Sequence, residues 1–180
     1  MARTLYSVSM SLDGFIAGPG GDMSWLAPYI GPNPEVDELI GNIGALLVGN
    51  RTFGGDDPHR GTEKQGKPFG GGWDGPQFVL THHVPRAQAP GITFVADLDA
   101  GLAAAKAAAG DKYVNILGAS VARQCLQAGQ LDEVLTLIAP VLLGDGVRLF
   151  EEPGGTRIGL EQIKTTEAPL ATGLWYRVVR

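Results

Sequence analysis

The chain has 180 residues, 44% of them apolar, and a formal net charge of −5: long enough to close a substantial core, and too acidic for a polyanion-binding face. A single cysteine excludes an intramolecular disulfide framework, and no apolar run approaches the length of a membrane helix. Met1–Thr4 enters a strand pattern with no signal-peptide core, so the expectation is one cytoplasmic domain over residues 1–180 that binds neither nucleic acid nor membrane.

Alternation of Tyr6, Val8 and Met10 with Leu5, Ser7 and Ser9 predicts a first strand over 4–11 with two unlike faces. Residues 12–21 follow as a loop punctuated by Asp13-Gly14 and Gly18-Pro19. Asn33 and Pro34, with Glu35, Asp37 and Glu38 in the opening turn, mark a helix start; that helix runs to about Ile43 and feeds a buried strand over 45–48. Residues 54–76 are rich in glycine, proline and charge and lack an apolar period, as functional or mobile loops do. Arg60, Lys64, Lys67 and Trp73 lie there, where they can cover a ligand.

Short strands are predicted over 78–80 and 92–95. Asp97 caps a helix whose apolar stripe is Leu98, Leu102, Ala105 and Ala109, stopping at Gly110. A strand over 113–117 breaks at Gly118, and a helical pattern starts at once behind Ser120 and ends near Gly129, with Cys125 facing inward. Residues 134–141 are apolar apart from Thr136, as in a strand covered on both faces. After a turn at 142–146, residues 160–166 and 174–179 read as two antiparallel strands. Repeated β-then-α units with such an ending predict an α/β fold, a mixed sheet with helices on both faces.

Two strand–Gly–helix corners bear on function: Leu117-Gly118-Ala119-Ser120-Val121, and Val48-Gly49-Asn50-Arg51-Thr52-Phe53. Glycine at a corner admits another backbone closely, and the first helical N–H groups lack internal partners, so each corner can seat a phosphate. Two corners point to a ligand with more than one phosphate, such as a dinucleotide. Structural turning at glycine accounts for the same residues, and both readings stay open here.

Four stretches in order, Ser9–Gly18 followed by Trp25-Leu26, Val48–Phe53, Phe78–His82, and Leu117-Gly118 through Leu131-Asp132-Glu133 to Ala139–Gly146, resemble the dihydrofolate reductase-like family. The likeness is to its branch related to the reductase half of bacterial riboflavin-synthesis enzymes, and it spans nearly the whole chain. It implies a three-layer fold: a mixed, mainly parallel sheet of about eight strands with an antiparallel C-terminal hairpin, binding NADPH along its strand ends. Carried over, Ser9 and Ile16 line the nicotinamide end. Gly49, Asn50, Arg51 and Thr52 meet phosphates or the adenosine ribose, Thr81 and His82 lie beside the 2′-phosphate, and Gly118, Ala119, Ser120 and Val121 hold the pyrophosphate. Trp25 and Thr136 fall in the substrate pocket, and the proton donor is sought among Asp37, Glu35 and Asp13, with Glu38 a further acid in the same helical turn.

The residues 81–86 agree with NADPH over NADH, since they include Thr81, His82, His83 and Arg86 and no acid. One departure from the family is Ala119, where a second glycine is usual. The expected activity is NADPH-dependent reduction of a pterin- or pyrimidine-type heterocycle, such as 5-amino-6-(5-phosphoribosylamino)uracil in riboflavin biosynthesis or dihydrofolate. The alternative is a non-catalytic NADPH- or nucleotide-binding protein of the same fold. The resemblance also implies a homodimer. No metal is expected: zinc deaminase chemistry needs a His-x-Glu pair and a Pro-Cys-x-x-Cys set, and this chain has only Cys125.

Overall fold

A computed structural model describes residues 1–86, 89–155 and 157–179 of the chain. The strands are β1 (Thr4–Ser11), β2 (Phe15–Ala17), β3 (Ile43–Gly49), β4 (Gln77–Leu80), β5 (Ile92–Val95), β6 (Tyr113–Leu117), β7 (Glu133–Ala139), β8 (Val147–Arg148), β9 (Gly159–Ala168) and β10 (Ala171–Val179). The helices are α1 (Pro34–Asn42), α2 (Asn50–Phe53), α3 (Leu98–Ala109) and α4 (Ala119–Gln127). Eight strands form one sheet in the order β5-β4-β3-β6-β1-β7-β10-β9, parallel from β5 through β7 and antiparallel at β10 and β9. This is the α/β architecture that the periodicity predicts.

Period-two side chains divide the sheet between two cores. Tyr6, Leu47, Phe78, Ile116 and Val134 pack with Leu102 and Ala105 of α3 and Ala122 and Cys125 of α4. Leu5, Leu46, Val79, Leu135 and Trp175 face the other way, against Leu39 of α1 and Trp73. Local chemistry sets the helix ends: the Asn33 side chain accepts from the Glu35 N–H, and that of Asp97 from the Ala100 N–H. Burial pushes the Cys125 thiol up to about 12, which makes it a packing residue.

Four local expectations are corrected. The 12–21 loop contains β2, which pairs with β8. Trp73 does not cover a ligand: it is 8% exposed, in the α1-side core, and its indole donates to the Ile43 carbonyl at 3.1 Å. The second corner opens into one helical turn, α2. The seventh strand starts at Glu133, which is 2% exposed yet charged. Its carboxylate pairs with Arg3 and accepts from Tyr113 Oη at 3.0 Å and Trp175 Nε1 at 2.8 Å, tying together the N-terminal ends of the central strands.

Candidate functional site: the C-terminal edge of the parallel strands

Strands β4, β3, β6 and β1 end side by side on one edge of the sheet, at Leu80, Gly49, Leu117 and Ser11. The chain leaves β3 toward β4 but leaves β6 in the opposite direction, across β1 to β7. Neighbouring connections that diverge open a crevice at the strand ends, where open α/β sheets bind ligands. The two glycine corners flank that crevice.

They also touch. A Cβ built on Gly118 would stand 2.5 Å from Thr52 Oγ1 and 3.8 Å from the Gly49 nitrogen, and one on Gly49 would stand 3.1 Å from Val121 Cγ2. Gly118 has φ +108°, ψ 131°, a conformation closed to other residues, so the corner needs glycine on two counts. It precedes α4 without a side-chain cap. The helix starts at Ala119 rather than behind Ser120, so the hydroxyl does not close its N-terminus. Ala119 lies inside the helix with ordinary φ, so a second glycine is not demanded here.

A second opening lies next to the corners. β1 pairs with β6 over Thr4–Tyr6, where Tyr6 stands opposite Ile116, but with β7 as far as Ser11. Because β6 ends at Leu117, the β6-side backbone edge of β1 at Ser9 and beyond carries no ladder partner in that register. This slot is continuous with the corner at Gly118.

The remaining predicted residues divide clearly. Thr81 continues β4 at the same edge; its hydroxyl accepts from the His83 N–H at 3.2 Å and so organises its own turn, while His82 is exposed. Asn50, Arg51 and Thr52 are exposed on α2, and Arg51 makes no ion pair among the described residues. Ile16 is 8% exposed in β2. Trp25 is half-buried in a short 3₁₀ segment, Ser24–Tyr29, and its Nε1 is buried without a hydrogen-bond partner among the described residues.

Thr136 lies on the opposite face of β7 from its neighbour Leu135. Leu135 faces α1, so Thr136 points to the α4 side, into a groove with Val134, Ile138 and Tyr176. It therefore lies across the sheet from the α1 acids. Asp13 is likewise occupied. It accepts from Ser11 Oγ at 2.6 Å, from the Leu143 N–H at 3.0 Å and from the Gly144 N–H at 2.7 Å. The Ser11 hydroxyl, then the two amides, hold its carboxyl down at about 2. With the β2–β8 pairing and Arg148 stacked 4.7 Å over Phe15, Asp13 fastens the 12–21 loop to residues 142–149.

Of the three acids at the start of α1, Asp37 and Glu38 are exposed and Glu35 is 3% exposed. Glu35 Oε1 makes no hydrogen bond among the described residues, though Lys164 Nζ of β9 stands 3.3 Å away. Lys164 also donates to Glu38 at 2.9 Å, and this bond, with the Glu35 charge, holds its ammonium above the ordinary lysine range. Sequence reasoning missed one buried polar pair below the slot. The Ser7 hydroxyl donates to Asn115 Oδ1 at 2.7 Å, and Asn115 Nδ2 is buried without a partner among the described residues. An asparagine in the middle of the apolar run Tyr113–Leu117 was the available signal.

Residues 4–169 match the family model described as "RibD C-terminal domain". The chain belongs to that family. A Shewanella sp. PV-4 protein described as a candidate riboflavin biosynthesis protein is similar over 100% of both chains, at 25% identity and a TM-score of 0.75. The Thermotoga maritima diaminohydroxyphosphoribosylaminopyrimidine deaminase/5-amino-6-(5-phosphoribosylamino)uracil reductase aligns with 99% of this chain and 57% of its own length, at 18% identity and a TM-score of 0.68. Enterococcus faecalis dihydrofolate reductase, solved with NADP(H), aligns over 97% of this chain and 96% of its own, at 17% identity and a TM-score of 0.61. The RibD C-terminal fold is thus the dihydrofolate reductase-like fold, with the eight-stranded mixed sheet and antiparallel end described above. Among the described residues no helix is long and apolar enough to cross a membrane.

Proposed function

We propose that this RibD-family domain is an NADPH-dependent reductase of a pyrimidine- or pterin-type heterocycle. The observation that carries the reading is the contact of two glycine corners at the point where the chain diverges from β3 and β6. That arrangement fits a nicotinamide dinucleotide: a cradle that a Cβ at Gly118 would fill, free N–H groups at the start of α4, and beside them the cation Arg51, unpaired among the described residues.

In this reading the amides of Ala119, Ser120 and Val121 hold the pyrophosphate, with the positive end of the α4 dipole behind them. Asn50, Arg51 and Thr52 hold the adenosine half, and Thr81 and His82 flank the 2′-phosphate. The open edge of β1 at Ser9, with Ile16, lines the nicotinamide end. When bound, the cofactor supplies the hydride; the protein supplies orientation, exclusion of water and a proton. Prepaid orientation accounts for up to ~7–11 kcal/mol of such barriers in the best model reactions.

The 12–21 loop, stapled through Asp13, keeps water from the slot. We assign Glu35 to the proton-relay position, since it is the one acid at the start of α1 that is out of water, with Lys164 Nζ 3.3 Å from its carboxylate. Asp37 and Asp13 are set aside for that role, the first by exposure and the second by its three hydrogen bonds. The substrate belongs to the class for which the Thermotoga relative is named, a phosphoribosylaminopyrimidine, with dihydrofolate as the runner-up. The test is single-turnover stopped flow with NADPH and both acceptors. Cofactor oxidation by one of them is the expected outcome. NADPH binding without oxidation by either would replace this reading with a non-catalytic nucleotide-binding one.

A further inference from the structure

On the α1 face of the sheet, the strand ends beside the slot carry a polar island. Leu5, Ser7 and Ser9 share that face of β1, and Tyr113, Asn115 and Leu117 share it on β6. Parallel pairing sets Asn115 between Leu46 of β3 and Leu5 of β1, and sets Ser7 beside Leu135 and Ser9 beside Leu137 of β7. Ser7, Ser9 and Asn115 therefore stand together among leucines. They stand where β1 and β6 part, since that ladder ends at Tyr6 and Ile116, next to Ser7 and Asn115. The lower row is closed to water, with Asn115 fully buried and Ser7 6% exposed. Ser9, Leu117 and Leu137 in the row above are only half-buried.

The hydrogen bonding of the island is incomplete. Ser7 Oγ donates to Asn115 Oδ1 at 2.7 Å, which uses the acceptor of the amide. Its donor, Nδ2, is buried without a partner among the described residues. A buried N–H without an acceptor destabilises the fold, and a β-branched apolar residue at the same strand position would avoid that loss. Two polar residues brought together from distant parts of the chain, with one group left over, point to an acceptor supplied from outside the chain. A neutral acceptor suits this place, because leucines surround the amide and an ion would lose its hydration. A planar ring resting on Ser9, Leu117 and Leu137 meets both conditions: its faces lie on apolar side chains, and a carbonyl oxygen at its edge reaches down to the amide.

We propose that Asn115, held by Ser7, is the specificity-determining residue of the heterocycle pocket and selects a ring carbonyl oxygen, directly or across one water. The proposal rests on the reductase reading, which sets the nicotinamide end at Ser9 and so brings the second ring to this face. The probes are 5,6-diaminouracil and tetraaminopyrimidine, the same ring with both carbonyl oxygens exchanged for amino groups. Each is titrated by NMR into the full chain held with NADP⁺, at mildly alkaline pH where both rings are neutral. The wild-type chain is expected to prefer the diaminouracil about tenfold or more. Ser7→Ala with Asn115→Val is expected to bring the two rings within about twofold while NADP⁺ affinity stays unchanged, with circular dichroism and thermal melts to confirm folding. The wild-type ratio needs no variant, and Asn115→Thr, which lacks the amide donor, repeats the comparison should the double variant not fold. A wild-type chain that binds both rings equally, or a variant that keeps the preference, would overturn the proposal and leave the reductase reading standing. A cofactor-bound chain that takes up neither ring would remove the heterocycle pocket itself, and the proposal with it.

Discussion

Gly118→Ala is the most direct perturbation of the corner on which the cofactor assignment depends. Two costs are legible. The backbone at φ +108°, ψ 131° is strained for any residue with a Cβ, at about 1–3 kcal/mol. The new methyl would also sit 2.5 Å from Thr52 Oγ1, about 0.9 Å inside an ordinary 3.4 Å contact (3.4 − 2.5), and overpacking of that kind costs about 1–3 kcal/mol. Relief requires either rotation of the exposed Thr52 side chain or movement of α2 away from α4, and either disturbs the contact between the two corners. We therefore expect a stability loss of ~2–6 kcal/mol in urea titrations. Calorimetry should show NADPH binding about tenfold weaker or worse. Thr52→Ala in the Gly118→Ala background removes the close contact and leaves the 3.5 Å contact with Thr52 Cβ, so the double variant should recover the second cost but not the first. A Gly118→Ala protein with wild-type stability and wild-type NADPH affinity would refute the reasoning at its root.

Arg51→Ala is expected to weaken NADPH binding in calorimetry, and to weaken NADPH more than NADH if the guanidinium meets the 2′-phosphate; unchanged affinity for both contradicts its place in the site. Glu35→Gln is expected to lower single-turnover hydride transfer by about 10²-fold while leaving cofactor affinity alone, whereas Asp37→Asn, at an exposed position, changes neither. Equal effects of the two would remove Glu35 from the proton-donating role. Asp13→Asn bears on pH. Its folded-state pKa is lowered from the ordinary 3.8 to about 2, so Asp13 contributes stability that is full above pH 4 and is lost as pH falls toward 2. Thermal melts of wild type and Asp13→Asn should therefore differ at neutral pH and converge toward pH 2, and a gap that stays constant over that range would show the carboxylate to be idle.

Much of the molecule was legible because it is set by neighbours in the chain. Alternation in 4–11 marked β1, Asn33 and Asp97 marked helix starts through their own side-chain acceptors, and Gly110 marked a stop. The two glycine corners were visible for the same reason, since a break between a strand run and a helical stripe is a local event. The RibD-type likeness was carried by motifs of that local kind.

What the tertiary structure decided is pairing and direction. Only the strand order brings β6 beside β3, so only it makes the two corners one site. The two-residue β8 has no pattern of its own and exists because β2 offers it a ladder. Thr136 reads the same on either face of a strand, and a register set by β1 and β10 turned it away from α1. Glu35, Asp37 and Glu38 were indistinguishable in one helical turn until the rotation of α1 on the sheet buried the first and left the other two in water. Periodicity along a chain reports that a segment has an inside, but which groups share that inside depends on contacts between residues far apart in sequence.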